Sequence, residues 1–355
     1  MTTRMVFRRK VQLTGGSTLI VSLPKEWAKN AGVEHGSEVV IEVMPDYTLR
    51  ITPTYTNRGG IPVEREVTVS CGDDATAAIV EVLAAYLAGY EKIRVRVEDG
   101  CPEIIREIVK RLQGKAIGLE ILEETGDSVV FYSVMSSSTL SVIDALRKMI
   151  STTRCMLEDV KECLGGCEKE VLRGVMERDD VVDKLFLLVL RQLNQVLLGQ
   201  LSPSSAGIQC LPEALYMLTS VKSIERIADH AVAMAVRILE SEETALKRLE
   251  KLKPVYSMVL EAFKSSSKAL LDPSKQSVRK ALRALLEAGE ALKQAEKQDR
   301  ERDGAIQQML ESMKRVVAYS TDIIEATASI ATLREIIQDR MKALQEASTQ
   351  GKTVS

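Results

Sequence analysis

Apolar positions along this chain fall into three rhythms. Up to residue 56 they come in short runs punctuated by Gly and Pro. Residues 10–13 and 18–23 read as strands on either side of Thr14-Gly15-Gly16-Ser17. Pro24 opens a short helix, PKEWAKNA, and Gly32 ends it. VVIEVMPDYTLRITP then gives two alternating strands around Pro45-Asp46. From 61 to about 135 the pattern changes. REVTVS and KIRVRVED alternate as strands do, while ATAAIVEVLAAYLAGY and CPEIIREIVKRLQGKA follow a helical period. LEILEETGDSVVFYSV closes as a hairpin at Gly126-Asp127. MSSSTLS (135–141) is a polar joint, and beyond it the pattern is helical to the end. Breaks fall at Gly165-Gly166, at 201–207, near Ser241, at Asp272-Pro273 and around Asp303-Gly304, which makes about six helices.

The helical part repeats itself. KSIERIADHA (222–231) overlays ESMKRVVAYS (311–320), so that Ser223, Arg226 and Ile227 match Ser312, Arg315 and Val316. Two units of three helices, 138–241 and 244–345, account for the offset. The expected fold is multidomain: a small β-rich head (1–56), a small α/β middle domain of β-α-β-α-β-β type (61–135), and an all-α six-helix body of two three-helix repeats (138–345).

Charge and composition narrow the function classes. The 355 residues carry a formal charge of −2 and are 45% hydrophobic but only 4% aromatic, so the core must be aliphatic and Ala-rich. Residues 1–58 hold eight Lys and Arg against five acids, which leaves the rest of the chain with −5. A positive end hints at a polyanionic partner. No apolar run is long enough to span a bilayer, and MTTRMVFRRKVQ has no hydrophobic signal region, so a cytosolic protein without membrane insertion is expected. Of six cysteines only Cys163 and Cys167, in CLGGC, are neighbours; the spacing is not that of a zinc ribbon, and two free thiols flanking a turn are expected. The middle domain shows no phosphate-cradling loop and no nucleophile motif, so packing or dimerisation is its default role.

The sharpest chemical signal is carboxylates in apolar stripes. Glu225 and Asp229, in SIERIADHAVAMA, sit where the apolar stripe should run: Glu225 interrupts the track Leu218, Val232, Leu239, beside the parallel track Ala214, Val221, Ala228, Ala235. Asp179 and Asp183, in VMERDDVVDKLFLLVLRQL, interrupt a track that runs on to Phe186, Leu190, Leu193 and Leu197. A carboxylate on a buried helix face is costly unless paired or bound to a cation. Spacing alone decides nothing, because the same four-residue step recurs at Glu103/Glu107, Glu158/Glu162, Asp299/Asp303 and Glu335/Asp339, of which Asp299/Asp303 is in polar surroundings and Glu335/Asp339 lies off the apolar stripe. Three accounts stand: buried ion pairs with Lys222 or Arg226, solvated acids at the edge of the core, or a metal site with oxygen ligands from two helices, which suits hard cations or iron. His230 points about 100° away from Asp229 and reads as a rim residue.

ERIADHA with AMA, preceded by DDVVD on an earlier helix, resembles the PhoU family of phosphate-uptake regulators. The resemblance covers about 138–345. It implies a six-helix fold of two three-helix repeats, and Asp179, Asp183, Glu225 and Asp229 as ligands of a metal ion, iron or zinc, with magnesium or manganese as further candidates. The second repeat departs from the pattern: Lys314 stands at the place of Glu225 and Ala318 at that of Asp229. One metal site, not two, is therefore expected.

RKVQLTGGSTLIVSLPKEWAKNAGVEHGSEVVIEV is similar to AbrB/MazE-type swapped-hairpin domains, which are obligate dimers that bind DNA through basic residues. The resemblance implies a homodimer and a DNA face of Arg4, Arg8, Arg9, Lys10, Lys25 and Lys29. Where DNA-binding relatives often carry Arg after the turn Gly, this chain has Gly16-Ser17. Together the two resemblances imply a non-enzymatic, cytosolic regulator of phosphate uptake that acts on DNA, on a phosphate transporter or on its regulatory kinase. The alternatives are a protein-interaction module whose head dimerises without touching DNA, and a carboxylate-metal hydrolase.

Overall fold

The computed structural model describes residues 6–44, 48–54, 64–98, 101–134, 140–299 and 304–350. The chain divides into two compact units, Val63–Gln338 and a head unit bounded by Met1–Pro62 with Asp339–Ser355.

The head holds two hairpins and one short helix. β1 (Gln12–Thr14) pairs antiparallel with β2 (Thr18–Ile20), with Leu13 opposite Leu19. Gly15 and Gly16 take φ of 60° and 84°, the left-handed region that a tight reversal of the chain requires and that glycine reaches without steric cost. α1 (Lys25–Asn30) follows Pro24, whose locked φ suits a helix start. β3 (Val39–Val43) pairs with β4 (Leu49–Pro53), and Arg50 lies 4.0 Å from Glu42 across the ladder. None of the described residues 6–54 is buried: Leu13 and Leu19 are 65% and 69% exposed, and Val11, Ile20, Val40, Ile41 and Leu49 are exposed as well. Each of these side chains forgoes roughly 1.5–3 kcal/mol of burial. A head without a core of its own has the surface of half a domain. The turn expected at Pro45-Asp46 lies outside the described residues, as does Arg4.

The second unit begins with the α/β domain. β5 (Glu64–Val69) and β6 (Lys92–Val97) are parallel, so the chain must cross over between them, and α2 (Ala75–Ala88) makes that crossing. α3 (Pro102–Leu112) follows, then the hairpin β7 (Leu119–Glu124) and β8 (Ser128–Ser133). The strand order is β5-β6-β8-β7, with β6 antiparallel to β8. Val67, Val69, Ile93, Val95, Val129 and Phe131 bury one sheet face against Val82, Tyr86, Ile105, Ile108 and Leu112 of the helices. Of the alternate residues, Glu66, Thr68 and Arg96 stay exposed on the other face, while Arg94 and Tyr132 are half-buried and Val130 is buried there.

The helical body follows as α4 (Val142–Glu162), α5 (Lys169–Leu197), short α6 (Pro203–Ala206), α7 (Glu213–Leu239), short α8 (Glu243–Leu249), α9 (Lys253–Leu271), α10 (Lys275–Gln298) and α11 (Gly304–Gln350). Ser141 caps α4 by accepting from the Asp144 amide, and Ser274 and Ser277 form a reciprocal capping box on α10. The core is aliphatic with few rings, as the composition requires. Leu146, Met149, Val182, Leu193, Ala228, Ala231, Phe263 and Ile324 are all at or near zero exposure. The break expected around Asp303-Gly304 falls partly outside the described residues; α11 begins at Gly304.

One expectation needs correction here. Cys163 and Cys167 are not free thiols but a disulfide across the turn after α4. Cys71 and Cys101, 30 residues apart, form a second disulfide. Cys71 follows β5 and Cys101 follows β6; parallel neighbouring strands carry the segments after them to the same sheet edge. Cys155 and Cys210 are free.

Candidate metal centre

The site lies where α5 meets α7. Asp179 and Asp183 project from α5 and Asp229 from α7, and one carboxylate oxygen of each lies within 4.8 Å of the others. Oxygens bound to one ion at 2.0–2.6 Å can stand at most about 4–5 Å apart, so this spread falls at the upper edge of what a single hard cation holds. It is the one such group of three among the described residues.

The acids occupy the rim of the buried face, not its floor. Ala214, Val221, Ala228 and Ala235 of α7 are fully buried, whereas Leu218, Glu225 and Val232 are half-buried and Asp229 is exposed. The two tracks are four residues apart and so lie about 40° from each other around the helix; α7 turns the Ala214 track to the core and leaves the Glu225 track at its edge. Asp179 and Asp183 are half-buried.

Electrostatics at the site are unfavourable for bare carboxylates. The Asp179 carboxyl is pushed up to about 7, first by loss of water and then by the neighbouring charges of Asp183 and Asp229. Asp183 is raised by burial and by Glu225 and Asp229, while Lys115 pulls it the other way. Asp179 Oδ1 is buried and accepts no hydrogen bond from the described residues. A buried acceptor left in this state costs about 1–3 kcal/mol or more when charged. These properties fit a cation.

Glu225 is held differently from the other three. Its Oε1 accepts from Lys222 Nζ at 2.5 Å, and its Oε2 is buried without a partner. Lys222 also lies over the Phe186 ring. The ion-pair account thus applies to Glu225 and the cluster account to the three aspartates. Arg226 pairs with neither; it stacks on Tyr319 of α11. His230 packs on the same ring, with centroids 5.9 Å apart, and burial together with Arg315 lowers its pKa.

At the matching place in the second repeat, Lys314 Nζ meets Glu296 Oε1 at 2.7 Å. Glu287 and Glu290 are exposed on α10. In the head, Arg8, Arg9, Lys10, Lys25 and Lys29 are all exposed. Sequence reasoning missed Lys115 and Arg191. Lys115 lies 3.8 Å from Asp180, beside the cluster. Arg191 could have been noticed as a lone cation in the apolar run LFLLVLRQL; it is 4% exposed.

Comparison with known proteins agrees with this architecture. Residues 146–238, which run from α4 through α7, match the PhoU domain family. Residues 12–58 match the family described as antidote-toxin recognition MazE, bacterial antitoxin. The chain thus combines a MazE-like head with a PhoU-like helical unit, the two families whose residues the sequence resembles. It is similar to the crystal structure of PhoU from Pseudomonas aeruginosa, at 15% identity and a TM-score of 0.39, over 57% of this chain and 96% of that one. No curated protein matches it. Both domain types are regulatory, and no helix among the described residues is long and apolar enough to cross a membrane.

Proposed function

We propose that this protein is a dimeric, non-enzymatic regulator of phosphate uptake whose helical body holds a metal ion on Asp179, Asp183 and Asp229. The observation that carries the reading is Asp179: a half-buried carboxylate with an oxygen lacking any donor, amid two more aspartates, in a helical unit of PhoU type. Glu225, tied to Lys222, stands beside the site with one oxygen still free to join it. A cation such as iron, zinc, manganese or magnesium would supply charge neutralisation and hold α5 to α7. The second repeat has the Lys314–Glu296 ion pair in place of such a site.

The exposed apolar surface of the head supports dimerisation, and Arg8, Arg9, Lys10, Lys25 and Lys29 would then supply cations to promoter DNA from each copy. The helical body would meet a phosphate transporter or its controlling kinase.

Elemental analysis of protein purified without chelator tests the metal. Close to one ion per chain is expected, and none after Asp183→Asn with Asp229→Asn. Metal retained by that double variant overturns the assignment. Titration with promoter DNA at two salt concentrations tests the head; absence of binding at low salt leaves it a dimerisation module.

A further inference from the structure

α5 carries two functional stripes side by side. Asp180, Lys184, Leu187, Arg191 and Asn194 recur at helical spacing, and each of them meets the α/β domain. Arg191 donates to the carbonyls of Tyr86, Tyr90 and Gly89, the last turn and cap of α2, and stacks on the Tyr86 ring. A buried cation at a helix C-terminus finds orphan carbonyls and a favourable dipole there. Asn194 Nδ2 donates to Leu87 O at 3.0 Å, and Leu187 packs on the core of the α/β domain. At the other end, the turn from α3 to β7 sits on α5 twice. Lys115 Nζ lies 3.8 Å from Asp180 Oδ1, and Lys184 Nζ lies against Gly114, whose φ is +71°.

At 3.6 residues per turn, Asp183 lies only about 60° around the helix from Asp180, and Asp179 about 100°. The α3–β7 turn therefore brings a cation beside the carboxylate cluster, on the same helix that supplies two of its three aspartates. The domain is fixed at one end of this stripe by Arg191. At the other, Ile117 packs on the core of the helical body, and the Gly114-Lys115 tip of the turn rests on one exposed ion pair, Lys115 with Asp180.

We propose that the α/β domain is the reader of the carboxylate site: cation binding at Asp179, Asp183 and Asp229 and seating of the Gly114-Lys115 turn on α5 oppose each other. This rests on the metal reading above. An empty, negative cluster attracts Lys115, whose charge already acts on Asp183. A divalent ion cancels that attraction, so the Gly114-Lys115 tip loosens while Arg191 and Ile117 keep the domain attached. By linkage, whatever strengthens the seated turn weakens metal binding by the same factor.

Calorimetric titration of the full chain with zinc(II), and separately with manganese(II), tests this. Lys115→Glu should tighten binding on the order of tenfold and Lys115→Gln about threefold, the size expected for charges several ångströms apart near a surface in moderate salt. Lys110→Glu, an equal charge change on exposed α3 away from α5, should alter affinity less than twofold. Hydrogen exchange of the amides at 113–118 in the wild type should quicken when metal binds. If metal binds the wild type and is lost in Asp183→Asn, yet Lys115→Glu binds like the wild type or exchange at 113–118 does not change, the coupling is wrong and the metal site stands. If neither metal binds the wild type, both readings fall.

Discussion

Arg334 of α11 donates to the carboxylate of Glu213, the first residue of α7, and Glu213 is completely buried. The other Glu213 oxygen accepts from the Gln209 amide at 2.9 Å. The pair joins the first repeat to the last helix across 121 residues of sequence. Removing one partner leaves the other charge buried and unpaired, so Glu213→Gln or Arg334→Met should cost about 3–5 kcal/mol in denaturant unfolding. Changing both together should cost less than the sum. A single substitution that leaves the midpoint unmoved would show that the pair is not desolvated in solution.

The raised carboxyl of Asp179 gives the metal-free protein a pH signature. Its folded value of about 7 exceeds the ordinary 3.8, so the folded state binds the extra proton. Stability then falls as pH rises from about 4 to about 7, where the folded form must ionise at a cost. Asp179→Asn should flatten that decline and make the metal-free protein more stable than wild type at pH 8. Thermal melts in chelator between pH 5 and 8 read this directly, and parallel curves for the two proteins would contradict it. With metal the order should invert, because the ion binds only the folded, ionised cluster.

The head should be dimeric because the apolar side chains among its described residues are exposed within one chain. Light scattering of the eluting peak should give twice the chain mass or more. Leu19→Asp with Ile41→Asp should shift it toward monomer or provoke aggregation. A wild type that elutes as monomer at micromolar concentration would defeat this account.

If the head also meets DNA, affinity should fall linearly with the logarithm of salt, with a slope near −0.9 per phosphate neutralised. Arg8→Ala with Arg9→Ala should flatten that slope by about two. An unchanged slope would remove those arginines from the interface.

The disulfides are countable. Thiol titration of unfolded protein should find two thiols without reductant, Cys155 and Cys210, and six with it. Closing the 30-residue loop between Cys71 and Cys101 should contribute about 3.6 kcal/mol, and the four-residue loop about 2 kcal/mol. Reduction should therefore lower the melting temperature of the α/β domain most.

The element order was legible in the sequence because each element answers to local rules. Alternation marked β5 and β6. The Gly15-Gly16 pair marked the head turn. Ser, Pro and Gly marked the ends of the helices, and the scarcity of rings forecast an aliphatic core. The three aspartates could be named too, since a charge in an apolar stripe is visible without coordinates. Tertiary structure decided what no local rule contains. The contacts of Arg226 and His230 with the Tyr319 ring depend on α11 lying beside α7. The Cys71–Cys101 bond depends on two strands being parallel neighbours. The position of the acids at the rim depends on which of two tracks on α7 the facing helices cover. Arg191 and Lys115 gain their meaning only when α2 and the α3–β7 turn arrive against α5. Periodicity fixes which residues share a face of one helix; only packing between helices determines what that face meets.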